Sequence, residues 1–530
     1  MHVSIRKTLR VIGSEQLVSS SRRVLLTVAA LSISGCGTWQ KSHQSAITHF
    51  ESGQLHLSQV EFEKSQRNPR SEKELLELDR AVLDLASGDV HRAETRFRRV
   101  RRELEFLEQK AVGEQAKSIM TDSRAIAFSG RDFEKRMLLN LAMLTSLLSD
   151  GTDSFAYSLQ ASAAAESRRG ELIAASGKQA NSDPAVVDAS TKSTQEGQVS
   201  TVGYARLSSV ALTSSSSLDQ PLAFSAYLSA GVQSEYPSRA DETEKALDDV
   251  RFWNTSFQKD FDARSFGDIG NRCRPGHGTL HVIALVGHAP KWVSESAEPT
   301  TGAMLIADRI ISAAGKHTLP PTISSVKIAC PEPVSGSDCA PSGAITCRIG
   351  LSESQTVPDM PSLDFTTIVS MNDVVRASYE ANRDREIADA IVRRVTKKAA
   401  IYVLKETQNV HRNSVMDIGI NVAGIAWEAL EKPDTRSWQL LPNRIDVTRV
   451  ELPAGQWSTT LQVRMPGRST QSVGVPAYVQ DGRNTYVVCI IPRHEITGHI
   501  LIGGADHAVF AVQSDGTVQP VSLRRDSSGL

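Results

Sequence analysis

The hydrophobic period of this chain changes near Arg264, and the change restricts the folds open to it. Before it, over 44–108, 137–144 and 223–252, apolar residues recur at helical spacing. After it, Gly278-Thr279-Leu280-His281-Val282-Ile283-Ala284-Leu285-Val286-Gly287 is an apolar, β-branched run of strand type. Further strands are expected at 290–293, 322–329, 343–351, 444–452, 458–463, 472–479, 485–491 and 499–512, with turns at Pro453-Ala454-Gly455 and Asp481-Gly482. One long helix, 372–406, interrupts them, with Ile387, Ile391, Val395 and Ala399 four apart on one face. The fold class expected is α+β: N-terminal α-helical hairpin repeats of tetratricopeptide type, followed by a β-rich C-terminal domain with one long helix. Strands from both sides of that helix are expected to share a core, with Ile387, Ile391 and Val395 covering the strands that follow it.

The helical part repeats a phrase. Gly53-Gln54-Leu55-x-x-Ser58-x-x-x-Phe62 returns as Gly88-Asp89-Val90-x-x-Ala93-x-x-x-Phe97, 35 residues later. That offset is close to the ~34-residue tetratricopeptide period, in which a glycine ends one helix, a small residue lets two helices approach and an aromatic fills the gap. Gly53, Phe62, Gly88, Ala93 and Phe97 are therefore the expected repeat-packing positions. A weaker third copy starts at Gly151, with Ala156 five residues on, and a fourth hairpin spans 223–252 around Gly231 and Pro237. A generic helical bundle is the alternative. Between the hairpins, 174–220 is rich in Ser, Thr, Ala and Gly and has too little large apolar surface to offset its ordering entropy, so it reads as a flexible insertion. The expected divisions are 37–173 (tetratricopeptide-like helices), 174–220 (insertion), 221–263 (a further hairpin) and 264–530 (the α+β domain).

Ahead of these, Arg22 and Arg23 precede an apolar run over 24–33, and Leu31-Ser32-Ile33-Ser34-Gly35-Cys36 closes it. The order is that of a lipoprotein signal peptide, 1–36, with Cys36 as the lipid-attachment residue. The run is about half the ~20 apolar residues a spanning helix needs, and 418–427 is equally short. Gly37 rather than an aspartate after the cysteine points to the outer membrane, facing the periplasm. The expected partners are the membrane, through the anchor, and a protein or peptide. With 59 Lys+Arg against 60 Asp+Glu no net field favours nucleic acid. Five cysteines remain, and a loop-stapling bridge is plausible within Cys330, Cys339 and Cys347; Cys273 and Cys489 complete the set.

No constellation of catalytic, cofactor or metal residues survives inspection. His494-Glu495-Ile496-Thr497-Gly498-His499 places its histidines five apart, where a zinc-protease helix needs four. His277, His281 and His288 have no carboxylate at ligand spacing, and Ala314-Gly315-Lys316-His317-Thr318 lacks the first glycine and the Ser/Thr of a P-loop. Arg383, Arg385, Arg393, Arg394, Lys397 and Lys398 read as the solvated face of the long helix.

Several short stretches carry a resemblance: Cys36, Phe133-Glu134-Lys135-Arg136-Met137-Leu138-Leu139, Gly278-Thr279-Leu280-His281-Val282 leading to Gly287-His288-Ala289-Pro290-Lys291, Asp434-Thr435-Arg436-Ser437-Trp438-Gln439-Leu440-Leu441-Pro442, and Gly482-Arg483-Asn484-Thr485-Tyr486. With them the chain resembles a family of uncharacterised bacterial envelope lipoproteins with tetratricopeptide-like helices in front and a β-rich half behind. The resemblance implies an envelope lipoprotein and assigns no chemistry. Two function classes follow. The favoured one is a non-enzymatic scaffold whose helices bind a protein or peptide. The alternative is a hydrolase-like envelope enzyme with a site assembled from distant residues, for which His281, His288 and Asp434 are the first candidates.

Overall fold

The computed structural model describes residues 39–65, 72–118, 128, 130–180, 215–255, 257, 273–313, 325–335, 339–351, 362–407, 433–513 and 515–521. Cys36, the core of the serine-rich insertion, 314–318 and 418–427 lie outside them. The chain divides into Met1–Gln44 and Ser45–Leu530. Of the first unit only 39–44 is described, as helix; everything below concerns the second.

The protein is mixed α and β, with helices in its N-terminal half and strands dominating the C-terminal part. α1 (Trp39–Glu51) and α2 (Leu55–Ser65) follow one another across Gly53, and three later pairs pack together as hairpins: α3 (Lys73–Ala86) with α4 (Val90–Ser118), α5 (Asp132–Leu148) with α6 (Ser154–Ala180), and α7 (Gln220–Ser234) with α8 (Ala240–Trp253). Gly53 and Gly88 stop their helices in the left-handed region, at φ +75° and +81°. The next amide then reaches back five residues, Gln54 N–H to His49 O at 2.8 Å and Asp89 N–H to Asp84 O at 2.9 Å. Phe62, Ala93 and Phe97 are wholly buried. The segment expected to be flexible begins and ends in helix, since α6 runs on to Ala180 and a turn at Ser215–Leu218 leads into α7. The alanines of α6 explain its persistence, because alanine has the highest helix propensity.

Thirteen strands are described. The main sheet has the order β13-β12-β11-β10-β1-β7-β6, with β1 (His277–Val286) parallel to β10 (Asn484–Ile491) and antiparallel to β7 (Arg444–Pro453). The others are β6 (Thr366–Ser370), β11 (His499–Gly504), β12 (Ala508–Val512) and β13 (Val518–Val521). A four-stranded sheet, β5-β4-β8-β9, is built from β4 (Ile345–Leu351), β5 (Leu363–Asp364), β8 (Gly455–Val463) and β9 (Gln471–Val479). β2 (Trp292–Ala297) and β3 (Val326–Pro331) form a separate pair.

Side chains alternate across a strand, so β1 serves two layers. Leu280, Val282, Ala284 and Val286 join Leu461, Val473, Val475 and Cys489 in the core shared with the four-stranded sheet. Thr279, His281, Ile283 and Leu285 face the other way, toward the helices. Glycines let helix and sheet backbones meet there: a Cβ on Gly503 would overlap Leu147 O and Leu148 Cα of α5, and one on Gly498 would overlap Ala86 O of α3. The helices are thus one layer of a three-layer body, and 45–530 is a single compact unit.

Two packing expectations are corrected. The stripe Ile387, Ile391 and Val395 on α10 (Met371–Thr407) packs with Ala297, Val326 and Ile328 of the β2-β3 pair and with Ala303 and Ala307 of α9 (Thr301–Ala313). It covers strands that precede the helix; of those that follow, β10 and β11 lie against α3, α5 and α7, while β8 and β9 pack on the main sheet. No bridge staples the cysteine cluster either. Cys330 and Cys347 are free thiols, one on β3 and the other on β4 in a different sheet, facing the sandwich core.

Candidate functional site

Strand register assembles a row of polar and aromatic side chains on the helix face of the main sheet. His281 on β1 is aligned with Arg449 on β7 and with Tyr486 on β10, and Tyr486 in turn with Gly503 on β11. One step along, Thr279 is aligned with Glu451 and Asn484. Two stretches about 200 residues apart, Gly278–Val282 and Gly482–Tyr486, therefore become adjacent parallel strands. From above, α7 brings Tyr227, and Gly231 lets the helix descend onto Tyr486, whose hydroxyl occupies the space of a Cβ.

The hydrogen bonds fix the state of the histidine. Asn484 Nδ2 donates to Gly231 O at 2.7 Å and to Ser234 Oγ at 3.1 Å, which leaves Asn484 Oδ1 facing His281 Nε2 at 3.2 Å as an acceptor. Nε2 therefore carries the proton, and Nδ1 accepts from Tyr227 Oη at 2.7 Å. The rings pack accordingly, His281 stacked on Tyr486 at 4.8 Å and edge-on to Tyr227 at 5.5 Å. Burial, with the nearby Arg449 guanidinium second, pushes the His281 pKa down to about 3 against a weaker opposing effect of Asn484. Burial raises Tyr227 and Tyr486, and it lowers the Arg449 guanidinium below its usual range.

Between α7, α8 and the ends of β1 and β7 lies a cavity of about 330 Å³, lined among others by Tyr227, Ser234, Cys273, His281, Arg449 and Asn484. That is the lower end of the range of small-molecule sites. Two wall carboxylates already have partners: Glu235 accepts from Asn484 N–H at 2.8 Å and pairs with Arg483 at 3.1 Å, and Asp481 accepts from Gly276 N–H at 2.8 Å. Cys273 Sγ lies 2.9 Å from Thr279 Oγ1. Arg449 is half-buried and faces the cavity. The arrangement can hold a polar ligand. The one histidine on its wall is neutral with both ring nitrogens engaged, and burial raises the pKa of the wall carboxylate Glu235.

The three residues first named for an enzyme are not brought together. His281 lines the cavity, whereas His288 lies seven residues on, past the end of β1, about 20 Å away at the rise of an extended chain. His288 packs on Phe50 at 5.8 Å, with Nε2 3.6 Å from Glu51 Oε1, too far for a hydrogen bond. Burial, with Lys291 and Arg493, pushes its pKa to about 3, so that contact is not an ion pair at neutral pH. Asp434 belongs to a buried structural segment. It holds Arg436 through two hydrogen bonds of 2.8 and 2.7 Å, while Arg131 donates to the carbonyls of Arg436 at 2.8 Å and Asp434 at 3.1 Å. In the same segment Trp438 N–H donates to Glu134 Oε1 at 3.0 Å and Leu440 N–H to Asp79 Oδ1 at 2.7 Å. Burial raises the pKa of both carboxylates despite these bonds. His494 lies in a bend, and His499 opens β11 with Nδ1 2.9 Å from Ala86 O.

Comparison of the chain with protein-family models, with curated proteins and with solved structures gives no match in any of the three. The site is therefore read on its own geometry. Tyr227, Arg449, Asn484 and Cys273 were not singled out from the sequence as site residues, because their proximity depends on strand register and on where α7 docks. The signal within reach was Gly278 and Gly482, which flank the two strands that bring His281 beside Tyr486.

The histidines give a direct check. The carbon-bound ring protons of His281 and His288 should keep constant chemical shifts from pH 8 to pH 4. The unfolded chain has ordinary histidines near 6.5, so it takes up protons that the folded chain refuses, and both residues remove stability as pH falls from about 6.5 toward 3. Titration of either ring with a midpoint near 6.5 would contradict the buried, neutral assignment.

Proposed function

We propose that this chain is an envelope lipoprotein, acylated at Cys36 and held at the outer membrane on the periplasmic side, whose folded part binds a small molecule in the cavity beneath α7. The observation that carries the binding reading is the convergence of Arg449, Tyr227, Ser234 and Asn484 on one cavity whose only wall histidine is neutral. The resemblance to envelope lipoproteins and the Leu31-to-Cys36 pattern support the location.

A second reading keeps the helices as a protein- or peptide-binding scaffold of tetratricopeptide type, with Gly53, Phe62, Gly88, Ala93 and Phe97 as its repeat positions. It is favoured by a crevice on α4, α5 and α6, lined by Arg101, Leu104, Leu138 and Gln160, and by Phe106 on the same α4, 58% exposed.

The full chain isolated from membranes should carry radioactive palmitate, and Cys36→Ala should carry none. Native mass spectrometry of the isolated chain should show a non-covalent mass excess of small-molecule size that disappears in Ala240→Trp, whose exposed side chain lies on the cavity rim. Labelling that persists in Cys36→Ala contradicts the anchor. A mass excess unchanged by Ala240→Trp contradicts the cavity.

A further inference from the structure

We propose that the outer edge of β2 docks an extended segment of a partner polypeptide, which adds to the β2-β3 pair as a third, antiparallel strand and places a lysine or arginine opposite Glu295. The three sheets have six edge strands among the described residues, and five of them are guarded against further pairing. β13 and β9 carry Pro520 and Pro476, which have no N–H to offer another strand. On β9 the Tyr478 carbonyl is also taken, by Thr485 Oγ1 at 2.7 Å. β5 is only two residues long. β6 is capped by side chains: Ile368 O accepts from Asn254 Nδ2 and Ser370 N–H donates to Gln220 Oε1, both at 2.8 Å. β3 presents Lys327 and ends on Pro331.

β2 has none of these guards. Glu332 N–H donates to Lys291 O at 2.7 Å, so the aligned residues 291 and 332 are a hydrogen-bonded pair. Such pairs alternate along an antiparallel ladder. Val293, Glu295 and Ala297 therefore bond to β3, while the N–H and C=O of Ser294 and Ser296 point away from it and meet no acceptor or donor among the described residues. Residues 293–296 are all exposed, so side chains as well as backbone are open along this edge. Only an extended backbone offers alternating donors and acceptors at the matching spacing. Charge decides between a foreign strand and a second copy of this chain. Antiparallel self-pairing that uses both serines aligns Ser294 with Ser296 of the second copy and sets Glu295 directly against its own counterpart. That is a like-charge pair at the closest cross-strand distance. Glu295 faces the Cys330 thiol and has no ion pair among the described residues, so a basic residue opposite it is favoured. Val293, on the same face and 41% exposed, offers an apolar contact to the neighbouring position of the added strand.

The probe is a short peptide of alternating threonine and valine in which the central valine is replaced by lysine, titrated calorimetrically into the full chain beside its glutamate counterpart. The lysine peptide should bind roughly five-fold more tightly than the glutamate peptide, and Glu295→Lys should reverse the order. With the lysine opposite Glu295, the threonine amides face β2 and the valine amides point away. N-methylation of the threonines should therefore abolish binding, and N-methylation of the valines should leave it. Ser294→Pro removes an amide that β3 does not use, so it should abolish binding and leave urea unfolding of the chain unchanged. If that variant is destabilised, the two methylated peptides carry the test on the unaltered chain. Binding that survives Ser294→Pro, equal effects of the two methylation patterns, or absence of binding by the lysine peptide would overturn strand addition. Equal binding of the lysine and glutamate peptides would overturn the basic partner. A dimer in sedimentation that Ser294→Pro dissociates would show that a second copy takes the edge and would overturn the foreign strand.

Discussion

Trp438→Ala is expected to lower the stability of the chain by about 3–5 kcal/mol, the range for truncating a large buried aromatic. Trp438 is 2% exposed and packs on Phe97 of α4 with ring centroids 6.0 Å apart. Its backbone N–H is held by Glu134 of α5, and two residues on Leu440 is held by Asp79 of α3. Three helices from two hairpins are thus tied to one irregular segment, and removing the indole leaves a void where they meet. Trp438→Phe is expected to cost well under half as much. It keeps most of the ring, and it deletes an indole N–H that is buried without an acceptor among the described residues. Urea unfolding of the full chain measures both. A loss below about 1 kcal/mol for the alanine variant would show that the segment does not lock the helical layer.

Ile391→Asp should be nearly as severe but local. It places a carboxylate at a fully buried position among Ala303, Ala307, Val326 and Ile328, with a penalty of several kcal/mol unless the group is protonated or the packing opens. Every neighbour in that cluster comes from α9, α10 or the β2-β3 pair. The expected result is therefore loss of protection in those elements while the sandwich core built on β1, β4, β8, β9 and β10 keeps its slow amide exchange. Hydrogen exchange read by mass spectrometry separates the outcomes. Simultaneous loss of protection in β8 and β10 would mean that α10 supports the whole β-rich part.

Local chemistry was enough to mark most of the elements. The glycines at 53 and 88 end helices because only glycine adopts a left-handed backbone without strain, and that is written in the residue itself. The uninterrupted apolar run of β1 already implied a strand buried on both faces, since one solvated face would demand alternation. The length of α10 and the strands β7 to β10 were likewise readable from period and turn residues, whereas 499–512, read as one strand, is the antiparallel pair β11 and β12. What lay on each face was not. A buried stripe such as Ile387, Ile391 and Val395 states that something apolar covers it, but hydrophobic burial is non-directional and does not name the partner. The helices appeared to be a separate repeat domain for the same reason, because nothing local reveals that Gly498 and Gly503 admit helix backbones onto a sheet more than 350 residues away in sequence. The candidate site lies wholly on that second level. Arg449, His281 and Tyr486 are ordinary residues of three separate strands until strand register sets them side by side, and only the docking of α7 makes His281 a neutral spacer and Arg449 the cation that faces the cavity.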